Sequence, residues 1–342
     1  MGALIRQAAL FLVALFLASG VLLSAPSARA EVREVRIGYG YGLVYLPLMV
    51  AVAQGYFAAQ AREAGGGDLA VSDRRFSGAA ALNEALLSGN IDVAAIGVTG
   101  FLILCDKTRG RNEIRGLAAL AAHAFVLFTN QSRVRSLADF GDQDKIATPG
   151  GTSPQAILMR MAAEQLYGTG QYARIDSLMI SLPHPEAVAA LLAGTAGVTG
   201  YVATPPYIST LRKSDKVHAV ITSRDILGPE DATGAVLAVG KTFVENNPGV
   251  AKAAIAALEE AMVFIAREPD KAADIYLQFE PSAKVTKQDV LGMLTDGTMT
   301  YSVTPSGILK FARFQARTGQ IKNEPGSWQD VFFPFIHDRK GS

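Results

Sequence analysis

Cysteine, histidine and metal-binding motifs are scarce in this chain of 342 residues. The one cysteine, Cys105, cannot form an internal disulfide, and its apolar neighbours favour a small buried side chain over a nucleophile. The four histidines are scattered and contain no His-x-x-x-His pair. We therefore expect no metal site.

Blocks of like charge are also lacking. The formal net charge is +1, and without Arg6 and Arg29 the remaining sequence has 30 basic and 31 acidic residues. A nearly neutral protein has no basic surface for nucleic acid, so we expect no such partner. The sequence also has no Gly-x-Ser-x-Gly elbow, Walker loop or paired carboxylates, and nothing in it supports catalysis.

The N-terminus predicts export. Arg6 precedes the apolar run Ala8–Ala18, and small residues lead from there to Ala30. A charged start, a short apolar centre and an Ala-x-Ala end predict a signal peptide, residues 1–30, cleaved after Ala30. An uncleaved membrane anchor is the alternative, but the run is short for a span and Gly20 interrupts it. We expect a periplasmic protein.

Short apolar runs alternate with helical segments through the rest of the chain, a pattern typical of parallel α/β units. Val35–Tyr39 begins a first group of such units, and Lys145–Thr148 begins a second. The chain is predicted to pass between the groups near residues 122–130 and again near residues 224–236. The fold class is therefore α/β, with two lobes joined by two crossings.

We assign residues 31–124 and 234–342 to lobe 1, which is discontinuous, and residues 125–233 to lobe 2. The carboxyl ends of parallel strands meet at one edge of each sheet, and ligands bind at such edges. The prediction is a ligand cleft between the lobes, lined by strand-to-helix corners.

The strongest local feature is the segment Pro149–Pro154, in which a strand opens through two glycines onto a helix. Pro154 fixes the first helical turn, so free backbone N–H groups and the positive end of the helix dipole face the cleft. Such a place favours a carboxylate, sulfonate, nitrate or phosphate, with Gly151, Thr152 and Ser153 as candidate binding residues. An ordinary helix start without a ligand is the alternative.

A tyrosine-rich loop follows the first predicted strand, with Tyr39, Gly40, Tyr41 and Tyr45 as candidate ligand contacts. Glycine permits close backbone approach, and tyrosine supplies a flat apolar face with a polar tip. The loop favours an organic ligand with a ring, whereas packing at the lobe edge is the alternative for each tyrosine. The spacing does not fit a dinucleotide-binding fingerprint.

Further candidates lie at other predicted strand-to-helix corners or beside a predicted crossing. Each is a weak signal alone, but they recur at the same structural position. These candidates are Gly78, Ala79, Thr99, Gly100, His123, His184, Thr204 and Pro205.

The chain resembles the nitrate/sulfonate/taurine branch of ABC-transporter periplasmic solute-binding proteins, a family that also includes enzymes related to thiamine-pyrimidine synthase. The resemblance covers roughly residues 33–320 and rests on the order and spacing of several segments. They include Val35-Arg36-Ile37-Gly38, Ala53-Gln54-Gly55-Tyr56-Phe57, Ser88-Gly89-Asn90-Ile91-Asp92-Val93-Ala94, Ser136-Leu137-Ala138-Asp139-Phe140 and Ala189-Ala190-Leu191-Leu192-Ala193-Gly194.

This resemblance implies a type II periplasmic-binding fold, no cofactor, and docking to an ABC permease with its ATPase. It also implies that the ligand is held by the loop after the first strand and by four further segments: Ser77–Ala79, Gly97–Gly100, Gly151–Ser153 and Thr204–Pro206. We expect a monomer that carries a small anionic or polar organic molecule, such as a sulfonate or an aromatic carboxylate, without transforming it. An enzyme of the thiamine-pyrimidine-synthase type and a ligand-sensing accessory protein are the alternatives.

Overall fold

Two β-sheets organise the chain in the computed structural model, which describes residues 30–65, 67–281 and 285–342. Residues 1–29 of the predicted signal peptide lie outside the described residues. The strands, in chain order, are β1 (Glu34–Tyr39), β2 (Ala70–Arg75), β3 (Val93–Gly97), β4 (Ile114–Ala122), β5 (Val126–Thr129), β6 (Ile146–Thr148), β7 (Met179–Ser181), β8 (Gly200–Ala203), β9 (His218–Thr222), β10 (Thr233–Gly240) and β11 (Thr300–Tyr301).

The two sheets share one arrangement. Among the described residues, the first sheet has the order β11-β4-β10-β3-β1-β2 and the second β7-β6-β8-β5-β9. Strands β1, β2 and β3 are parallel, as are β6, β7 and β8. In each sheet a strand that enters from the other lobe pairs antiparallel with the parallel group: β10 with β3, and β5 with β8.

The chain crosses between the sheets twice. Strand β4 ends at Ala122 in the first sheet, and β5 begins at Val126 in the second. The return runs from β9 through a short helix to Thr233, where β10 begins. The predicted two-lobed α/β fold with two crossings is therefore confirmed. The apolar segment 117–128, which reads as one run in the sequence, is divided between the two sheets.

Helices cover the sheets and fill most connections. They are α1 (Leu46–Ala53), α2 (Tyr56–Glu63), α3 (Ala79–Leu87), α4 (Val98–Thr108), α5 (Pro154–Tyr167), α6 (His184–Ala193), α7 (Tyr207–Arg212), α8 (Ser223–Leu227), α9 (Lys241–Asn246), α10 (Pro248–Arg267), α11 (Pro269–Phe279), α12 (Lys287–Thr295) and α13 (Ile308–Arg317). Short 3₁₀ turns lie at Leu43–Tyr45, Leu137–Asp139, Tyr172–Leu178, Trp328–Val331 and Pro334–Ile336.

Burial follows the predicted hydrophobic pattern. In α10, Ala251, Leu258 and Ile265 repeat at helical spacing, and all three are buried. Every residue of β10 is buried, as expected for a central strand covered on both faces. Helix α4, which begins directly after β3 and contains Cys105, was not predicted from the sequence. Cys105 is partly exposed as a residue, but its thiol is buried, and this burial raises the pKa of the thiol.

Within the described residues, no single helix is long and apolar enough to cross a membrane. One pair of helical segments, Leu43–Ala53 and Tyr56–Glu63, meets the criteria of length and composition together, with a bend of 61° between them.

Candidate functional site

A cavity lies between the two sheets, beside both crossings. Its walls come from residues that directly follow parallel strands, such as Gly40 after β1, Phe76 after β2 and Pro149 after β6. The empty volume is about 710 Å³, including the part open to solvent. Its place, at the carboxyl ends of parallel strands, is where ligands bind in open α/β folds.

The walls are largely apolar, with aromatic side chains from both lobes. Tyr41, Tyr45 and Phe76 come from the first lobe, and Phe125 lies at the crossing that follows β4. Aliphatic contacts are provided by Val44, Leu82 and Ile96. Among the described residues that line the cavity, none is Asp, Glu, Lys or Arg. Any charge on a ligand must therefore be balanced by backbone groups or by dipoles.

Four helix N-termini meet at the cavity. Helices α3 and α4 begin after Gly78 and Gly97, and neither glycine has a side chain to cap the first turn. Helix α6 begins after Pro183, which makes no capping hydrogen bond either. Helix α5 is capped by Ser153, whose Oγ accepts the N–H of Ala156 at 3.2 Å. The positive ends of four helix dipoles therefore favour one negative charge in the cavity.

His123 reaches the cavity from the first crossing in one defined tautomer. Its Nδ1 lies 3.1 Å from the carbonyl of Ala124, which only accepts hydrogen bonds, so Nδ1 carries the hydrogen. Its Nε2 is then an acceptor and takes the hydroxyl hydrogen of Thr204 at 3.2 Å. Burial of the ring lowers the pKa of His123 to about 4, so the ring is uncharged at neutral pH.

His184, the first residue of α6, is the second histidine on the cavity wall. Its Nδ1 lies 2.5 Å from the hydroxyl of Tyr201, and its Nε2 lies 3.4 Å from Nε2 of Gln155. The ring stacks on Tyr207 with a centroid distance of 5.4 Å. Burial, and secondarily the nearby His123, lowers the pKa of His184 to about 3. Both histidines therefore act as neutral hydrogen-bonding groups.

The structure brings most of the sequence-predicted site residues together on the cavity wall. Eleven of the fifteen line it: Gly40, Tyr41, Tyr45, Gly78, Ala79, Gly100, His123, Thr152, Ser153, His184 and Thr204.

Tyr39 and Gly151 lie behind the wall rather than on it. The Tyr39 hydroxyl donates to Asp73 Oδ2 at 2.8 Å, on the neighbouring strand. The carbonyl of Gly151 accepts a hydrogen bond from the guanidinium of Arg160 at 2.7 Å. These hydrogen bonds position the adjacent residues Gly40 and Thr152, which line the cavity.

Thr99 and Pro205 also lie off the wall, and both connect the lobes. The hydroxyl of Thr99 donates to the carbonyl of Thr152 at 2.6 Å, between α4 and the start of α5. The carbonyl of Pro205 accepts the backbone N–H of Leu43 at 3.0 Å. These two hydrogen bonds join the lobes on either side of the cavity.

Several residues that line the cavity were not predicted from the sequence. Phe76 and Phe125 each stand one or more residues beyond a strand end, and neither is a typical turn residue. Gly234 also lines the cavity, where a Cβ atom would lie 2.7 Å from Nε2 of His123. The sequence offered one indication that Gly234 lies near the cavity, namely its place within the second predicted crossing.

The two α/β sheets with two crossings and a cavity between them define the periplasmic-binding-protein fold. The chain belongs to the NMT1-like family, whose model matches residues 28–277. A search of curated protein sequences finds no match.

Solved structures of ABC-transporter binding proteins share this fold at low identity. The ligand-binding component of an ABC-type import system from Staphylococcus aureus, with zinc bound, is 18% identical with a TM-score of 0.67, and 90% of this chain and 98% of that chain are aligned. The alkanesulfonate-binding protein SsuA from Xanthomonas axonopodis pv. citri, bound to MOPS, has 16% identity, a TM-score of 0.65 and coverages of 86% and 96%.

The periplasmic nitrate-binding protein NrtA from Synechocystis PCC 6803 is 18% identical with a TM-score of 0.66, and 91% of this chain and 86% of that chain are aligned. The predicted resemblance to nitrate- and sulfonate-binding proteins is therefore confirmed at the level of family and fold.

Proposed function

We propose that this protein is the solute-binding component of an ABC-type importer and that it carries a small polar or anionic organic molecule. The observation that carries this proposal is the cavity between the lobes, where uncharged polar side chains and four helix N-termini meet. The structural neighbours support the same assignment, since one is the ligand-binding component of an ABC-type import system and two others bind alkanesulfonate and nitrate.

The wall chemistry favours an aromatic monocarboxylate over an inorganic anion. Helix N-termini supply N–H donors and positive dipole ends for one negative group. Tyr41, Tyr45, Phe76 and Phe125 supply flat apolar contacts that nitrate could not use. Because Thr204 donates its hydroxyl hydrogen to His123, its oxygen is left to accept a hydrogen bond from a donor on the ligand body, such as a ring hydroxyl, and not from the carboxylate.

We further propose the organisation predicted from the sequence. Residues 31–124 and 234–342 form one lobe, residues 125–233 form the other, and residues 1–30 direct export to the periplasm and are removed there. The protein works as a monomer that delivers its ligand to an ABC permease and the associated ATPase.

Binding without a chemical step is the function that fits these side chains. The two cavity histidines have pKa values of about 4 and about 3, which makes them weak bases at neutral pH. Each is also already hydrogen-bonded to protein groups, His123 to Ala124 and Thr204, and His184 to Tyr201.

A ligand panel on the exported protein tests the proposal. Benzoate, 4-hydroxybenzoate, taurine and nitrate are compared by thermal shift and calorimetry, with benzylamine as the control of opposite charge. We expect an aromatic carboxylate to raise the melting temperature by several degrees, because a ligand that binds only the folded state stabilises it. Equal stabilisation by benzylamine, or no stabilisation by any anion, would contradict the proposal.

A further inference from the structure

A buried carboxyl group lies at the junction of the two lobes, outside the cavity wall. Glu280 directly follows helix α11, and its side chain is 0% exposed. Its Oε1 accepts the backbone N–H of Gly42 at 3.3 Å. Its Oε2 is also buried, and among the described residues it has no hydrogen-bond partner. A carboxylate with one long amide hydrogen bond is poorly compensated for its loss of water.

Arg75, at the end of β2, is the cation that faces Glu280 in the described part of the chain. Its Nε lies 3.8 Å from Glu280 Oε1, which is too far for a hydrogen bond. The Arg75 side chain is 23% exposed. Its guanidinium carbon lies 5.1 Å from the centre of the Tyr41 ring and 5.8 Å from the centre of the Tyr39 ring. Arg75 therefore neutralises the carboxylate only in part.

In the described part of the chain, the other titratable groups around the Glu280 carboxyl are tyrosines. Burial, and secondarily the negative charge of Glu280, raises the pKa of the hydroxyls of Tyr45, Tyr207 and Tyr276. The hydroxyls of Tyr207 and Tyr276 are buried and have no hydrogen-bond partner among the described residues. These groups are uncharged at neutral pH, so they do not stabilise a negative charge as a cation would.

The helix end adds to the penalty on the charged form. Glu280 follows the last turn of α11, where the negative end of the helix dipole disfavours an anion. Burial raises the pKa of Glu280 to about 7, against the opposing effects of Arg75 and of the Gly42 amide.

Contact between the lobes keeps this carboxyl dry. Tyr207 belongs to α7, which follows β8 of the second sheet, whereas Glu280 and Gly42 belong to the lobe of the first sheet. The hydrogen bond from Leu43 to the Pro205 carbonyl holds the two sides together beside them. Separation of the lobes would remove the Tyr207 ring from Glu280 and admit water, which favours the ionised carboxylate.

We propose that Glu280 is a proton-binding site at the lobe junction, so that lobe closure takes up a proton and ligand binding is coupled to it. This inference rests on the lobe closure of the proposed function but not on the identity of the ligand. The proton is a second ligand of the protein, and the unpartnered Oε2 is the atom that binds it.

The coupling has a defined sign. A hydrated glutamate has a pKa of about 4.3, so the open form is ionised above about pH 5, whereas the closed form keeps its proton up to about pH 7. Between these limits, closing the lobes takes up one proton. The affinity for any ligand held between the closed lobes therefore falls by up to about tenfold per pH unit from about pH 5 to pH 7 and is constant above.

Small-angle scattering of the ligand-free protein tests the coupling without any ligand. We expect the radius of gyration of the wild type to rise between pH 5.5 and pH 8, as the fraction of open protein grows. Glu280→Gln, which is uncharged at every pH, should remain compact at both pH values. Glu245→Gln, at an exposed glutamate on α9, is the matched control and should follow the wild type. A pH-independent wild type, or a Glu280→Gln variant that still expands, would overturn the proposal.

Carbon-13 NMR of the glutamate carboxyl groups keeps the proposal testable if Glu280→Gln does not fold. We expect one carboxyl signal to titrate near pH 7 in the wild type and to shift toward pH 4 in Tyr207→Ala, which admits water to the junction. Titration of all signals near pH 4 in the wild type would refute the site. Failure of the ligand panel would contradict the proposed function alone, because neither measurement uses a ligand.

Discussion

The hydroxyl of Thr99 donates a hydrogen bond of 2.6 Å to the backbone carbonyl of Thr152, and this bond joins the two lobes beside the cavity. Thr99 is fully buried on α4, and Thr152 lies just before α5. The same corner therefore supplies a cavity wall and a contact that exists only when the lobes meet.

Thr99→Val should weaken closure without disturbing the lobes. The change preserves shape but leaves the Thr152 carbonyl without this donor, which costs about 1–2 kcal/mol. We expect the dissociation constant of a bound aromatic carboxylate to rise about fivefold or more, measured by calorimetry. Thr295→Val is the control, because Thr295 is exposed and, in the described part of the chain, its hydroxyl bonds within its own helix. Equal affinity in the Thr99 variant and the wild type would show that this contact does not contribute to closure.

Tyr41→Ala should separate aromatic from inorganic ligands. Tyr41 lines the cavity, and loss of its ring removes an apolar contact that an aromatic carboxylate uses and nitrate does not. We expect affinity for benzoate to fall about tenfold and any affinity for nitrate to change little, by calorimetry. Tyr167→Ala is the matched control, since Arg174 also stacks on that ring, at 4.3 Å, but outside the cavity. An equal loss for both anions would mean that Tyr41 only supports the fold.

The two buried histidines should make the protein sensitive to acid. Their pKa values are about 4 and about 3 in the folded state, whereas an unfolded histidine titrates near 6.5. As the pH falls below about 6.5, the unfolded chain binds protons that the folded protein does not, so stability is lost toward pH 4 at up to about 1.4 kcal/mol per pH unit for each ring. His184→Gln should reduce this slope in denaturant titrations, and His337→Gln, which does not line the cavity, is the control. A slope that His184→Gln leaves unchanged would argue against a neutral buried ring. Glu280 has a raised pKa in the folded protein, so its contribution to stability grows as the pH falls. Each variant is therefore compared with the wild type at the same pH.

Gly234→Ala should destabilise the fold at the second crossing. The added Cβ would lie 2.7 Å from Nε2 of His123 and 3.3 Å from a methyl group of Val44, so the ring must move. Overpacking of this kind costs about 1–3 kcal/mol, measurable by denaturant unfolding. Gly292→Ala is the matched control, because a Cβ there meets no atom within 4 Å and alanine favours a helix. We expect the control to be neutral or stabilising, and a neutral Gly234 variant would mean that His123 has room to shift.

Much of the fold was predictable because the local signals were strong. The strand at Val35–Tyr39, the helix that begins at Pro154 and the buried stripe of α10 all lie where the sequence patterns predict them. Helix α4 was missed, since its apolar residues are buried on every side and have no amphipathic period. The crossing between β4 and β5 lies within the predicted range of residues 122–130.

The site was predictable in part. Glycines and hydroxyl residues at strand-to-helix corners led to Gly78, Thr152 and Thr204, which line the cavity. Phe125 and Gly234 carry no such local signal, because they reach the cavity only through the geometry of the two crossings.

The sequence by itself determined the α/β class, the alternation of strands and helices and most of the corners that face the cavity, because these follow from local hydrophobic periodicity and from turn and capping residues. Only the tertiary structure decided which protonation states and pairings those residues have. The neutral tautomer of His123 and the dry carboxyl of Glu280 arise from burial between segments far apart in the chain, and burial at that range is not encoded in any local pattern.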